Sequence, residues 1–279
     1  MSNQKTWFIT GASKGLGLVM VNQLLKQGYN VVATSRKLTD LTGAVGSNAA
    51  NFLPLAVDIT SEASVKEAID ATINTFGHID VVVNNAGYGM VGGLEEVSNA
   101  EARANFDVNV FGSLNVIREA MPYLRGQGSG HIFNIASIGG FNGNFPGWGI
   151  YCATKFAVHG FTESLAAEAK PFGVNVTVVS PGYFRTSFLD SGSLIVPKNP
   201  NDAYQNVRDS QAAHQNEING NQPGDPEKGV AAIIATANES NPPLHLFLGQ
   251  DAYDMAYVKM DAVKSDLETW KELSTSTGF

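Results

Sequence analysis

Three features of this sequence predict an α/β fold with a doubly wound, parallel, seven-stranded sheet and helices on both faces. Seven short runs rich in Val, Ile and Phe recur along the 279 residues, helical apolar patterns separate them, and a glycine turn joins the first run to the first helix. The runs fall at residues 6–10, 29–34, 51–57, 79–83, 131–136, 174–179 and 244–248. No repeat, linker or low-complexity tract interrupts them, so the chain reads as one domain.

The first strand opens into Gly11-Ala12-Ser13-Lys14-Gly15-Leu16-Gly17, after which Leu18, Val21, Leu24 and Leu25 mark one apolar helix face. Glycines let a backbone approach a pyrophosphate closely, and a helix amino terminus offers free N–H groups and a positive dipole end. Other readings compete. A P-loop needs Gly-Lys-Ser/Thr, and Gly15 follows Lys14. The same residues match the G-x-S-x-G elbow of serine hydrolases, with Ser13 as nucleophile and His214 or His245 as base. That elbow follows the first strand of the chain, so no upstream strand or loop supplies the rest of an oxyanion hole. A purely structural glycine turn is the third alternative.

The second strand ends in Ser35-Arg36-Lys37. An acidic residue here would bond the ribose 2′-hydroxyl of NAD, whereas Arg accommodates a 2′-phosphate. Arg36, with Lys14 nearby, therefore predicts NADP(H) over NAD(H); the alternative is that Arg36 and Lys37 are solvated loop charges. Asp58 follows the third strand, and a helix over 61–76 starts at a Thr60/Ser61 cap. The fourth strand closes with Asn84-Asn85-Ala86-Gly87, where Asn84 reads as a structural bridge. One long helix over 101–124 carries Asn109 among Val108, Val110 and Phe111, and a buried amide there needs partners. The fifth strand ends before Ser137, a helix runs over 151–170, and the sixth strand leads into Ser180-Pro181-Gly182.

Residues 183–224 turn to Asn, Gln, Asp and Ser with scattered apolar side chains, the composition of a substrate lid. A helix follows over 226–237. A last helix over 251–273 carries the stripe Tyr253, Tyr257, Met260, Val263, Leu267 and Trp270, expected in the core or at a subunit contact.

On the 151–170 helix, Tyr151 and Lys155 stand four residues apart and share a face. A cation about 6 Å from a phenol, at an effective dielectric of about 20, favours its ionised form by ~3 kcal/mol, or ~2 pK units. That shift would suit a proton shuttle, although Tyr-x-x-x-Lys is also a common accident of helix surfaces.

The net charge of -8 and the lack of a basic run argue against nucleic acid or a membrane surface as partner. The single cysteine, Cys152, excludes an internal disulfide. His78, His131, His159, His214 and His245 are isolated in sequence, so no catalytic metal is expected. Residues 1–6 lack signal-peptide architecture and no apolar run reaches membrane-spanning length, which together lead to a cytoplasmic expectation.

In this order, Thr10-Gly11-x-x-x-Gly15-x-Gly17, Asn84-Asn85-Ala86-Gly87, Ser137, Tyr151-x-x-x-Lys155 and Pro181-Gly182 resemble the short-chain dehydrogenase/reductase family. The resemblance implies a Rossmann fold, an NADP cofactor and hydride transfer between nicotinamide and a carbonyl or secondary alcohol. It implies Tyr151 as proton donor or acceptor, with Lys155 lowering its pKa and holding the nicotinamide ribose. Ser137 would hydrogen-bond the substrate oxygen, and Asn109 would anchor a water linking Lys155 to solvent. Asp58 would contact adenine, Asn85 would lie near the adenosine ribose, and Thr186 would grip the carboxamide. The expected cofactor contacts are Gly11, Ser13, Lys14, Gly15, Leu16, Gly17, Arg36, Asp58, Ile59, Asn85, Ala86, Gly87, Tyr151, Lys155, Pro181, Gly182 and Thr186. Tyr88, Met90, Phe141, Phe145, Trp148, Phe184 and Phe188 are expected to line the pocket and favour bulky apolar or aromatic carbonyls or alcohols. The family pairs through its two long helices, so a homodimer is expected, with a homotetramer as the larger alternative. A non-catalytic NADP(H) sensor or scaffold of the same fold is the alternative function.

Overall fold

The computed structural model describes residues 4–190 and 192–279; Met1, Ser2 and Asn3 of the leading segment, and Ser191 within 183–224, lie outside the described residues. One parallel sheet contains β1 (Thr6–Ile9), β2 (Asn30–Ser35), β3 (Phe52–Ala56), β4 (Val81–Asn84), β5 (Gly130–Ile135), β6 (Val174–Pro181) and β7 (His245–Leu248). The spatial order is β3-β2-β1-β4-β5-β6-β7. Each of the seven expected strands is present, with ends moved by a residue or two.

Alternation along β1 divides the core. Trp7 and Ile9 pack with Met20, Val21 and Leu24 of α1 (Gly15–Lys26) and with Val230 and Ile233 of α8 (Pro226–Thr236). Phe8 points the other way, onto α3 (Glu62–Phe76), α5 (Ser113–Gln127) and α6 (Gly149–Ala169) through Val65, Ile69, Val116, Ala120 and Leu165. All three side chains are fully buried, each worth about 1.5–3 kcal/mol of transfer free energy. Because both faces are covered, the strands read as continuous apolar runs rather than alternating ones. Strand order reverses between β1 and β4, and such a switch point opens a crevice at the carboxyl edge of the sheet.

The expected long helix over 101–124 is broken in the middle. It begins as α4 (Asn99–Phe106), capped by Ser98 and Glu101 in a reciprocal box, passes through a π-helical turn at Asp107–Gly112, and continues as α5. A π turn adds a residue to one turn and rotates the rest of the helix about its axis. A short helix α2 (Leu38–Val45), which the sequence does not predict, comes after Lys37.

The 183–224 segment is more ordered than a loop composition suggests. Leu194–Ile195 pairs in parallel with Gly89–Met90, and α7 (Gln205–Ala212) runs into a second π turn at Ala213–Ile218. Glu96 fastens it: its buried carboxylate accepts from Gly93 N (2.5 Å) and Asn201 N (2.6 Å) and pairs with Arg208 at 2.6 Å. Burial pushes this carboxyl's pKa up, but the two N–H donors and the guanidinium outweigh it and hold it low.

The carboxyl-terminal stripe is not core. Ala252 and Ala256 of α9 (Gln250–Thr269) dock against Ile138, Phe141 and Phe247, so the small-residue edge faces inward. Tyr253, Tyr257, Met260, Val263, Leu267 and Trp270 consequently turn outward, and each is at least 42% exposed. Among the described residues, no helix is long and apolar enough to cross a membrane.

Candidate active site

The glycine turn is built for close approach. Gly11 and Gly15 sit at φ +65° and +58°, and a Cβ on Gly11 would stand 2.7 Å from Ala86 Cα. Asn85 fixes the turn: its Nδ2 donates to Thr10 O (2.9 Å) and Gly11 O (3.0 Å), while Thr10 Oγ1 accepts from Asn85 N and Ala86 N at 3.0 Å. The ends of β1 and β4 are thereby tied at the switch point. Ser61, Ser98 and Asp225 cap α3, α4 and α8 with side-chain oxygens. Lys14, at the start of α1, gives no such cap, so the first N–H groups of that helix keep their donor capacity toward the crevice.

That crevice is a cleft of about 1230 Å³. Gly11, Ser13, Lys14, Gly15, Leu16, Arg36, Asp58, Ile59, Asn85, Ala86, Gly87, Ser137, Tyr151, Lys155, Pro181, Gly182 and Thr186 all line it. Two expected site residues do not. Gly17 packs behind the turn, where a Cβ would meet Asn85 Nδ2 and Gly11 O at 2.6 Å. Asn109 stands behind Lys155: its Nδ2 donates to Tyr88 O (3.0 Å) and Thr154 Oγ1 (3.1 Å), and its Oδ1 accepts from Tyr88 N (3.0 Å). The π turn aims it there, and a Cβ on Gly87 would stand 3.0 Å from Asn109 Oδ1 and 3.5 Å from Lys155 Nζ. Asn84 keeps to a structural position but does not bridge backbone groups: its Nδ2 donates to the Asn134 side chain at 2.8 Å, and its Oδ1 is unpartnered among the described residues.

Tyr151 and Lys155 share a face of α6, and both are buried. Lys155 Nζ lies 5.7 Å from the centre of the Tyr151 ring and donates to Ile135 O at 2.8 Å. Ser137 lines the cleft beside them, and its Oγ accepts from Gly139 N at 3.1 Å. The expected acidification of Tyr151 by Lys155 is overturned in the free chain. Burial drives the phenol's pKa above its ordinary value, with the Ser137 hydroxyl opposing, and burial pushes Lys155 down to about 8. Desolvation disfavours both charges and is the largest cause of each shift.

Beyond Tyr151 the wall is apolar. Tyr88, Phe145, Trp148, Phe184 and Phe188 line the cleft as expected, joined by Leu189 and Cys152. Met90 and Phe141 do not: Met90 is 2% exposed within the short strand pair, and Phe141 packs edge-on to Phe247 under α9. Sequence reasoning misses the polar members of this wall. His214 Nδ1 lies 2.7 Å from Ser210 O, so it carries the proton, and Nε2 accepts from the Tyr183 hydroxyl at 3.0 Å. Gln222 is 2% exposed with Oε1 unpartnered among the described residues. Behind the wall, outside the cleft lining, Asp251 accepts from Tyr183 N at 2.6 Å and fills the space beside Gly182. No motif signals these residues, because a polar lid and the helix after β7 deliver them.

The hydrolase geometry is absent. His214 has both ring nitrogens engaged, and neither it nor His245 hydrogen-bonds Ser13. The histidines are not all isolated either: the fold brings His159 and His245 together with Glu163, their ligand-type atoms within 4.8 Å of one another.

A glycine turn at the switch point, with a buried Tyr and Lys and a half-buried Ser at the cleft floor, defines an α/β nucleotide-cleft protein. Residues 5–193 match the short chain dehydrogenase family, and this chain belongs to it. It is 36% identical over 274 residues to "Oxidoreductase BOA17" of Botryotinia fuckeliana, covering 98% of this chain and 99% of that one. It is 37% identical over 243 residues to a 3-ketodihydrosphingosine reductase of Bacteroides thetaiotaomicron, covering 86% of each. A solved short-chain dehydrogenase from Streptomyces avermitilis superposes with a TM-score of 0.91 at 34% identity, covering 99% of this chain and 100% of that one. The solved ElxO with NADP bound gives 0.71 at 28% identity over 88% of this chain and 96% of that one.

Proposed function

We propose that the chain is an NADP(H)-dependent oxidoreductase acting on a carbonyl or secondary alcohol, with Tyr151 as general acid/base. The observation that carries this reading is the convergence of Ser137, Tyr151 and Lys155 at the floor of the cleft that the glycine turn opens. The residues fit the cofactor. Glycines without room for Cβ and the uncapped amino terminus of α1 suit a diphosphate, and Arg36 and Lys14 suit a 2′-phosphate. Asp58 and Ile59 would hold the adenine, Asn85 would lie near its ribose, Lys155 would hold the nicotinamide ribose, and Pro181, Gly182 and Thr186 would hold the carboxamide end. Asn85 contributes mainly by holding the turn.

Held by these residues, NADPH would supply a hydride to the substrate carbon. Ser137 and the Tyr151 hydroxyl meet the negative charge that develops on the substrate oxygen, and Tyr151 then gives up its proton. A phenol whose pKa is raised by burial arrives protonated at neutral pH, as reduction requires. Lys155, still largely cationic at pH 7, stabilises the tyrosinate left behind. Asn109 holds Tyr88 and Thr154, the chain neighbours of Gly87 and Lys155.

The aromatic wall favours bulky apolar or aromatic substrates, and the 183–224 segment closes over them as a lid. Phe111 and Phe156, 50% and 43% exposed on the helices expected to pair, suit a homodimer. A panel of ketones and aldehydes with NADPH and NADH in parallel tests the assignment. Turnover with NADPH that Tyr151→Phe abolishes, cofactor binding being kept, supports it. NADPH binding with no turnover on any carbonyl would favour the sensor reading instead.

A further inference from the structure

We propose that His159, Glu163 and His245 form a site for a zinc-class divalent cation, outside the cleft. His159 and Glu163 stand one helical turn apart on α6, and His245 opens the edge strand β7 beside them. Two imidazoles and a carboxylate are a ligand set that zinc accepts, leaving a fourth position to water. Zinc holds nitrogen and oxygen ligands at about 2.1 Å, which in a tetrahedron spaces them about 3.4 Å apart. Here the three ligand atoms lie within 4.8 Å of one another, and His245 Nε2 is 3.8 Å from Glu163 Oε1. Closing that gap takes about 1 Å of movement by the two exposed side chains, well within their torsional freedom.

The rings are already arranged for such an ion. Their planes differ by 22° and their centroids lie 6.0 Å apart. Two imidazoles on one tetrahedral zinc have centres about 5 Å apart. His159 is the fixed ligand: it is 5% exposed, with Phe141 6.1 Å from its ring and Ser180 Oγ 2.9 Å from Nε2. The Ser180 hydroxyl competes with an ion for Nε2. At 3.8 Å the His245 to Glu163 contact is too long for a hydrogen bond and is an ion pair only when the imidazole is protonated. A bound ion would fasten the edge strand to the helix that carries Tyr151, and the NADP(H) assignment has no bearing on it.

The test uses the full, untagged chain stripped with chelator, titrated calorimetrically with zinc chloride and spectroscopically with cobalt chloride. One ion per chain is expected, with visible cobalt bands of tetrahedral intensity and a zinc-dependent rise in unfolding temperature. His245→Ala and Glu163→Gln should each weaken binding by about tenfold or more, with circular dichroism and NADPH turnover unchanged. Ser180→Ala should bind at least as tightly as the parent chain, because the competing hydroxyl is gone. An absence of saturable heat in the parent chain, or affinity untouched by His245→Ala, would overturn the site.

Discussion

Replacing Lys155 by methionine should make the cofactor-free protein more stable at neutral pH while abolishing its turnover. Methionine keeps most of the side chain's volume and removes a buried charge. Burial lowers the lysine pKa from 10.5 to about 8, and at 1.36 kcal/mol per unit the charge costs the folded state about 3 kcal/mol. The hydrogen bond to Ile135 O is lost in exchange, which returns about 1 kcal/mol. A net gain of about 2 kcal/mol remains at pH 7. The pH dependence has a definite sign. Between about pH 8 and 10.5 the unfolded lysine binds a proton that the folded one has lost, so the parent chain gains stability as pH rises through that window. Below about pH 8 both states are charged and the penalty is complete. Urea unfolding without cofactor at pH 7, 8 and 9 should show the advantage of the methionine variant shrinking with pH. A variant less stable than its parent at pH 7, with the same pH slope, would refute burial as the dominant influence on Lys155.

The same geometry sets four further outcomes. Arg36→Glu should move preference from NADPH toward NADH by tenfold or more in kcat/KM, measured with both coenzymes; an unchanged ratio would remove Arg36 from the 2′-phosphate. For reduction, kcat/KM should fall as pH rises above about 8, where Lys155 loses its proton, and a profile flat to pH 10 would contradict that role. Glu96→Ala leaves Arg208 and two backbone N–H groups unpaired and should cost about 2–4 kcal/mol, with faster proteolysis of 197–222 as the readout; cleavage at the parental rate would show that the lid is held elsewhere. Gly11→Ala should abolish coenzyme binding, since its Cβ meets backbone at 2.7 Å in a positive-φ conformation, and calorimetry that records normal NADPH affinity would exclude the turn as the diphosphate site.

The fold is legible in the sequence because the sheet is buried on both faces, so each strand has to be an unbroken apolar run, as Val81-Val82-Val83 is. The positions of Tyr151, Ser137 and the glycine turn are legible for a related reason: each lies just past a strand end or shares one helix face. The π turn at Asn109 is not, because the apolar period is the same on either side of it and only its phase shifts. The inward edge of α9 is hidden since two alanines, Ala252 and Ala256, make the contact and the larger apolar residues do not. His159, Glu163 and His245 are distant in sequence, and only the packing of β7 beside α6 brings them together.

The direction of the Tyr151 shift bears most on chemistry, and it too is invisible in the motif. Spacing fixes which groups are neighbours, whereas the balance of Coulomb attraction and desolvation depends on how deeply both are buried. With Tyr151 7% and Lys155 5% exposed, the neutral phenol is the favoured state of the free chain. The tyrosinate then becomes accessible only when charge develops beside it, on the substrate oxygen or on a coenzyme held against Lys155. Oxidation, which needs the tyrosinate at the outset, should therefore demand higher pH than reduction. Rates in both directions across pH 6 to 10 measure this directly: an oxidation profile already at its plateau near pH 7 would mean that coenzyme binding reverses the shift.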